Sequence, residues 1–238
     1  MSALSNAKPR RGEANPPAIG LTSNAIPEAN GSDTGVSIGS VRTPMQWFVL
    51  RVTYHRAQKA NDMLVAGGIK TYMPLRYTTK TVNSRQRRVT TPLLPNLLFA
   101  HTDYTTLNKL VKRLNSTNAG STSGLSDTRL ITFYYDHFHT GDGGKNLPLT
   151  VPDTAMQNFI RLTSLTNEHI RAVRPDQCHY KSGDLVRITD GEFKGVCGRV
   201  ARVAGQQRVV VELEGICLVT TAYVPSGFIE KENTTECL

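Results

Sequence analysis

The sequence predicts an α+β protein: an antiparallel sheet flanked by helices, followed by a small β-barrel. Three observations carry that prediction. Residues 45–166 alternate strand-like runs with amphipathic helical stretches, residues 179–232 hold only short strands separated by turn signals, and the polar stretch Asn167 to Cys178 between them has no sustained period. That stretch contains Pro175 and reads as a linker. Residues 1–44 are rich in Ser, Asn, Gly, Ala and Pro without apolar periodicity, which predicts a disordered tail, and residues 233–238 form a short C-terminal tail.

Order is expected to begin at "MQWFVLRVTY", where Phe48, Leu50 and Val52 share one face and Trp47, Val49 and Arg51 the other. Both faces are largely apolar, so this strand should be central. "HRAQKANDMLVAGG" predicts a helix with Ala57, Ala60, Leu64 and Val65 inward and Gly67 at its end. "IKTYMPLRYTT" predicts a strand broken at Pro74, and the basic stretch "KTVNSRQRRVTT" a hairpin turn before a strand through Leu97 to Ala100. In "TDYTTLNKLVKRLN", Leu107, Leu110, Val111 and Leu114 fall at i, i+3, i+4 and i+7, the stripe of a helix lying on a sheet, with Thr102 or Asp103 as its N-cap. "NSTNAGSTSGLSD" predicts a loop, "RLITFYYDHF" a strand, "TGDGGKNLP" a turn, and "VPDTAMQNFIRLTS" a helix with Met156, Phe159 and Ile160 inward. The strands of the barrel are expected at "DLVRIT", "GRVARV", "RVVVEL", "CLVTTA" and "FIEKE".

The formal charge of +9 is concentrated in the middle of the chain. Residues 45–178 hold seventeen Lys and Arg against eight Asp and Glu, whereas residues 179–238 hold seven against eight. A polyanion should therefore meet the first domain. No apolar run is long enough to span a membrane and no secretory signal is visible, which predicts a soluble cytoplasmic protein without membrane contact. Cys178, Cys197, Cys217 and Cys237 form no C-x-x-C pair and are expected to be reduced, structural thiols. Phosphate-loop, H-E-x-x-H and G-x-S-x-G motifs are absent, and neither His137 with His139 nor Asp136 with Asp142 makes a convincing site. The expectation is a protein that is not an enzyme, with no metal and no cofactor.

In "GDLVRITDGEFKGVCGRV", Val186 and Ile188 alternate with Arg187 and Thr189 and lead into the turn dipeptide Asp190-Gly191. Gly191 and Gly195 are expected at sharp bends beside Phe193, Gly198 where the next strand curls, and Gly183 at the start of the first strand. This stretch resembles the KOW motif of NusG-type transcription factors and some ribosomal proteins. Upstream, "WFVLRVTYHRAQKANDML" resembles the opening strand and helix of the NGN domain, and "LPNL", Leu94 to Leu97, stands where that domain has "FPGY" or "FPNY". NGN followed by KOW separates a NusG factor from a ribosomal protein, and it implies that the barrel is of the SH3-like kind. "RLITFYYDHFHTGDGGKNLPLTVPDTAMQNFIRLTS" and "QQRVVVELEGI" are similar to UpxY-type antiterminators of surface-polysaccharide operons, and "PNL" to the RfaH branch.

The resemblance implies a monomer that sits on the clamp of bacterial RNA polymerase and suppresses pausing and termination. It implies polymerase contact by Leu94, Pro95 and Leu97. It also implies contact with the displaced non-template DNA strand, or nascent RNA, through a basic surface. The candidates there are Arg51, His55, Arg56 and Lys59 at the first strand and helix, and Lys80, Arg85, Arg87 and Arg88 on the hairpin. A small-subunit ribosomal protein or the termination factor Rho is the partner implied for the KOW domain, and specialised members often lose the latter. Thr105 and Thr106 stand near a Thr-rich turn of related factors, but a helix start accounts for them better. The rival expectation is an RNA-binding KOW protein of the ribosome or its assembly machinery.

Overall fold

The computed structural model describes residues 44–53, 55–82, 84–118, 129–140 and 144–232. Apart from Pro44, the expected N-terminal tail lies outside these, as do the C-terminal tail with Cys237, Asp142 and most of the loop expected after Asn115.

The first strand, β1 (Gln46–Val52), is central because both of its faces are apolar. After it come α1 (Ala57–Ala66), β2 (Lys70–Tyr72), β3 (Leu75–Val82), β4 (Arg85–Pro92), β5 (Leu97–Thr102) and α2 (Tyr104–Asn118). Then follow β6 (Ile131–Phe133), β7 (Tyr135–Thr140), β8 (Asn146–Pro148), β9 (Thr150–Val151) and α3 (Asp153–Thr163). The sheet runs β2-β5-β1-β6, with β9 also paired to β1, and its pairings are antiparallel. Phe48, Leu50 and Val52 of β1 and Leu98 and Ala100 of β5 meet Ala60 and Leu64 of α1 and the Leu107, Leu110, Val111 and Leu114 stripe of α2. On the other face Trp47, Val49, Tyr72 and Phe99 meet Met156, Phe159 and Leu162 of α3.

Several expectations change in detail. Val65 is exposed, and Asn61 occupies the buried position instead, its Oδ1 accepting the Thr71 hydroxyl at 2.7 Å. On α3 it is Leu162 that is fully buried, while Ile160 lies at the edge of the stripe. The N-cap of α2 is Asp103, whose carboxylate accepts the Thr106 N–H at 2.9 Å; Thr102 ends β5. The predicted strand "RLITFYYDHF" divides at Tyr134, so that β6 stays in the main sheet and β7 forms a separate ribbon with β8. The predicted loop begins later than expected, since α2 continues to Asn118. Asn115 ties that helix to β6: its Oδ1 accepts the N–H groups of Leu130 and Ile131, and its amide donates to the Ile131 carbonyl at 2.7 Å.

The C-terminal half is a six-stranded antiparallel ladder. Its strands are β10 (Arg171–Val173), β11 (His179–Ile188), β12 (Cys197–Val203), β13 (Gln206–Leu213), β14 (Cys217–Tyr223) and β15 (Ile229–Lys231), in the order β10-β14-β13-β12-β11-β15. Among the described residues no pairing joins β10 to β15, so backbone hydrogen bonds do not close the expected barrel. The segment expected as a linker is partly built into this unit. Ile170 is buried, and Arg171–Val173 pair with Leu218–Thr220 of β14. Arg208 adds a staple, donating to the carbonyls of Thr221 at 2.8 Å and His169 at 3.3 Å.

Of the four glycines, Gly191 and Gly195 do adopt positive φ, at 79° and 82°. Gly183 lies inside β11, within the register shift between Tyr180 and Leu185, rather than at the strand's start. The expectation of uniformly free thiols also fails. Cys178 and Cys217 are free, but Cys197 is disulfide-bonded. Four widely spaced cysteines say nothing of which come together in space.

Burial pushes the Cys217 thiol up from 9.0 to about 12. The folded protein therefore keeps this proton at pH values where the unfolded chain has lost it. The resulting stabilisation is complete below pH 9 and is lost as pH rises toward 12. Denaturant titrations at pH 8 and pH 10.5 should show a lower midpoint at the higher pH, and a Cys217→Ala variant should show a smaller decline.

Candidate functional site

The sequence points to two features that carry function and a third, the glycine-bearing turn, that shapes the barrel, and the fold gives each a definite place. The first is the corner at Leu94 to Leu97. The Leu93 N–H bonds to the Pro74 carbonyl at 2.8 Å, and the Asn96 carbonyl accepts the Val52 N–H at 2.8 Å, fixing the corner against β1. Asn96 takes a positive φ of 66°, a conformation that asparagine tolerates better than most side chains. Leu94 is only 7% exposed, Leu97 is half-buried against the same cluster, and Pro95 faces solvent. Two of the three residues are thus packed inward.

The second feature is the basic set, which the structure divides. Arg51, His55, Arg56 and Lys59 are exposed around the start of α1. Arg51 lies opposite Leu97 in the β1–β5 ladder, so this group adjoins the corner. The first turn of α1 holds no acid, and Arg56 stands at its N-cap. Cations there oppose the helix dipole, and an anion would relieve that opposition.

The remaining cations are on the β3–β4 hairpin, whose register pairs Lys80 with Arg87, Thr79 with Arg88 and Val82 with Arg85. Lys80, Arg85 and Arg87 therefore share one face, which Arg76 joins through its bond to Thr91. Arg88 is on the opposite face. Its guanidinium lies 4.8 Å from the Tyr77 ring centroid, donates to the Thr166 carbonyl and pairs with Glu168 at 3.8 Å. Thr79 donates to Glu168 as well, at 3.4 Å. This face holds the hairpin to the segment after α3.

The third feature is the glycine-bearing turn from Asp190 to Val196. Its bends bring Phe193 into the core cluster shared by both halves of the chain, where Phe193, Val196, Val209 and Val211 belong with Leu94, Phe99, Met156 and Phe159. Polar bonds frame that contact. Asn158 of α3 donates to the Cys197 carbonyl at 2.7 Å and accepts the Cys197 N–H at 2.9 Å. Arg161 donates to the Gly195 carbonyl at 2.5 Å, and Asn167 donates to the Glu192 carboxylate at 2.7 Å. These contacts are not legible in the sequence, where Asn158 and Arg161 stand at ordinary solvent-facing positions of an amphipathic helix.

Among the described residues no three His, Cys, Asp or Glu side chains converge to hold a metal ion. His137 packs edge-on to Tyr134, with ring centroids 6.1 Å apart. Thr105 and Thr106 lie in the first turn of α2. No described helix is long and apolar enough to cross a membrane. The architecture is a sheet covered on both faces, a basic hairpin paired outside that sheet and an apolar corner packed into a shared core.

Residues 45–132, from β1 through β6, match the family model described as transcription termination factor nusG. Among solved structures, one described as "Domain interaction in Thermotoga maritima NusG" is similar at 17% identity, covering 80% of this chain and 98% of that chain with a TM-score of 0.37. No curated protein matches the chain.

Proposed function

We propose that the protein is a NusG-type transcription elongation and antitermination factor that binds the clamp of bacterial RNA polymerase through its N-terminal domain and suppresses pausing and termination. The single observation that carries this reading is the match of residues 45–132 to the NusG family model, a stretch that includes the Leu94 to Leu97 corner and the flanking Arg51. The C-terminal ladder acts as the KOW module, with a protein of the small ribosomal subunit as its partner. The resemblance of residues 129–164 to UpxY-type factors supports service at particular operons of the polysaccharide kind.

The burial of Leu94 adds a condition. A side chain 7% exposed offers little to a partner, so docking through the corner requires the shared core to open. Leu94→Asp would place a charge in that core and would test folding more than docking. Leu97→Lys and Pro95→Glu are better placed, at positions with solvent access.

Binding to purified core polymerase should strengthen when Asn158→Ala loosens the contact between α3 and the β unit. It should weaken again when Leu97→Lys is added. Core polymerase that ignores the wild type and every variant would refute the reading.

A further inference from the structure

We propose that the face of the β3–β4 hairpin bearing Arg76, Lys80, Arg85 and Arg87 is a docking strip for the sugar-phosphate backbone of double-stranded nucleic acid. The proposal rests on the transcription-factor reading above, for which the sequence implies nucleic-acid contact by the hairpin cations, and goes beyond it by naming the duplex, adding Arg76 and excluding Arg88.

The first argument is electrostatic. Residues 75–92 contain five Arg and Lys and no Asp or Glu. Lys80 and Arg87 stand directly opposite one another, and like charges in that arrangement destabilise a strand pair. Among the described residues neither they nor Arg85 has an acidic partner, and all three are exposed. The ladder nevertheless runs without a register shift from Leu75 opposite Pro92 to Val82 opposite Arg85. A strip that tolerates this repulsion while offering no acid of its own is complementary to a polyanion.

The second argument selects the form of the polyanion. Single strands are usually gripped by stacking their bases on aromatic rings, with cations tracking the backbone. The hairpin's one aromatic residue, Tyr77, lies on the opposite face beneath Arg88. The cationic face offers guanidinium and ammonium groups, which suit phosphates and carry no direct sequence reading. From Arg76 to Val82 the strand rises about 20 Å at roughly 3.3 Å per residue. A two-stranded ribbon of this kind fits a major groove about 12 Å wide or lies along its edge.

The test is fluorescence anisotropy of the full chain with a 20-base-pair DNA duplex of arbitrary sequence, and with one of its strands, between 50 and 200 mM KCl. The wild type should prefer the duplex. Changing Arg76, Lys80, Arg85 and Arg87 together to Gln should make the slope of log K against log salt shallower by up to about 3.6, roughly 0.9 per lost phosphate contact. Affinity for the duplex at 100 mM should fall more than tenfold. Arg88→Gln should leave the slope unchanged.

An unaltered slope in the fourfold variant, with thermal unfolding like that of the wild type, would overturn the proposal. So would tighter wild-type binding to the single strand, with the slope change confined to that ligand. Binding to nucleic-acid-free core polymerase, measured on the same variants, should be retained. Failure at the duplex with polymerase binding intact would therefore sink this inference alone, whereas absence of polymerase binding in the wild type would sink the functional reading.

Discussion

Gly198→Ala is expected to destabilise the C-terminal ladder by on the order of 3 kcal/mol or more. A Cβ at this position would lie 2.3 Å from the Val210 carbonyl oxygen and 2.8 Å from Val209 Cγ1. The first obstacle is backbone of the neighbouring strand, so no rotamer change relieves it. Strands β12 and β13 would have to separate where Arg199 pairs with Val210 and Val200 with Val209, next to the buried Val209, Val210 and Val211. Thermal unfolding followed by circular dichroism should show a midpoint lowered by about 10 °C. Gly205→Ala supplies the contrast. Gly205, unlike Gly198, needs a positive φ, but open space surrounds it, so a loss of about 1 kcal/mol is expected. Equal midpoints for Gly198→Ala and the wild type would show that the two strands are less closely packed than described.

The second large effect is expected at Asn158. Its amide makes reciprocal hydrogen bonds with both backbone groups of Cys197 across the contact between α3 and the ladder. Alanine removes both bonds and leaves a partly buried N–H and C=O unsatisfied on the docked surface, at a cost of about 2–3 kcal/mol. When the two halves part, water satisfies the same groups. The loss therefore falls on the docked arrangement and shifts the docking equilibrium about 30- to 150-fold. Limited proteolysis between Ser164 and Ile170 should accelerate by a comparable factor while each half remains folded. Unchanged protection would mean that the apolar cluster alone holds the halves together.

These two sites also show what could be read from the chain. The α2 stripe was legible because all four of its apolar positions face one sheet, and Leu107, Leu110, Val111 and Leu114 are all buried. Gly191 and Gly195 were legible because bends in a short turn demand positive φ. The hairpin's charge was visible, but its division into two faces was not. That division depends on register, and a slip of one residue would exchange Arg87 with Arg88. The strand at Arg171–Val173 looks like linker in the sequence because three residues are too few to show alternation. Contact between the halves was hidden for a related reason. Helix α3 turns Met156, Phe159 and Leu162 to the sheet, and its second contact is made by Asn158 and Arg161, residue types that sequence pattern assigns to solvent.

The corner at Leu94 to Leu97 shows the limit most clearly. Its motif and apolar character are visible in the sequence, but the packing of Leu94 into a core that also holds Phe193 and Val209 of the C-terminal ladder is not. An apolar residue awaiting a partner and one already covered by its own chain look the same in sequence.

The most direct test of the central claim is single-round transcription by purified bacterial core polymerase on a template carrying a hairpin pause and an intrinsic terminator. The protein would be added as wild type, as Asn158→Ala, and as Asn158→Ala with Leu97→Lys. The predicted result is shorter pausing and increased readthrough, stronger with Asn158→Ala than with the wild type and lost with the double variant. Pausing and termination unchanged by all three proteins, on cognate as well as arbitrary leaders, would contradict it.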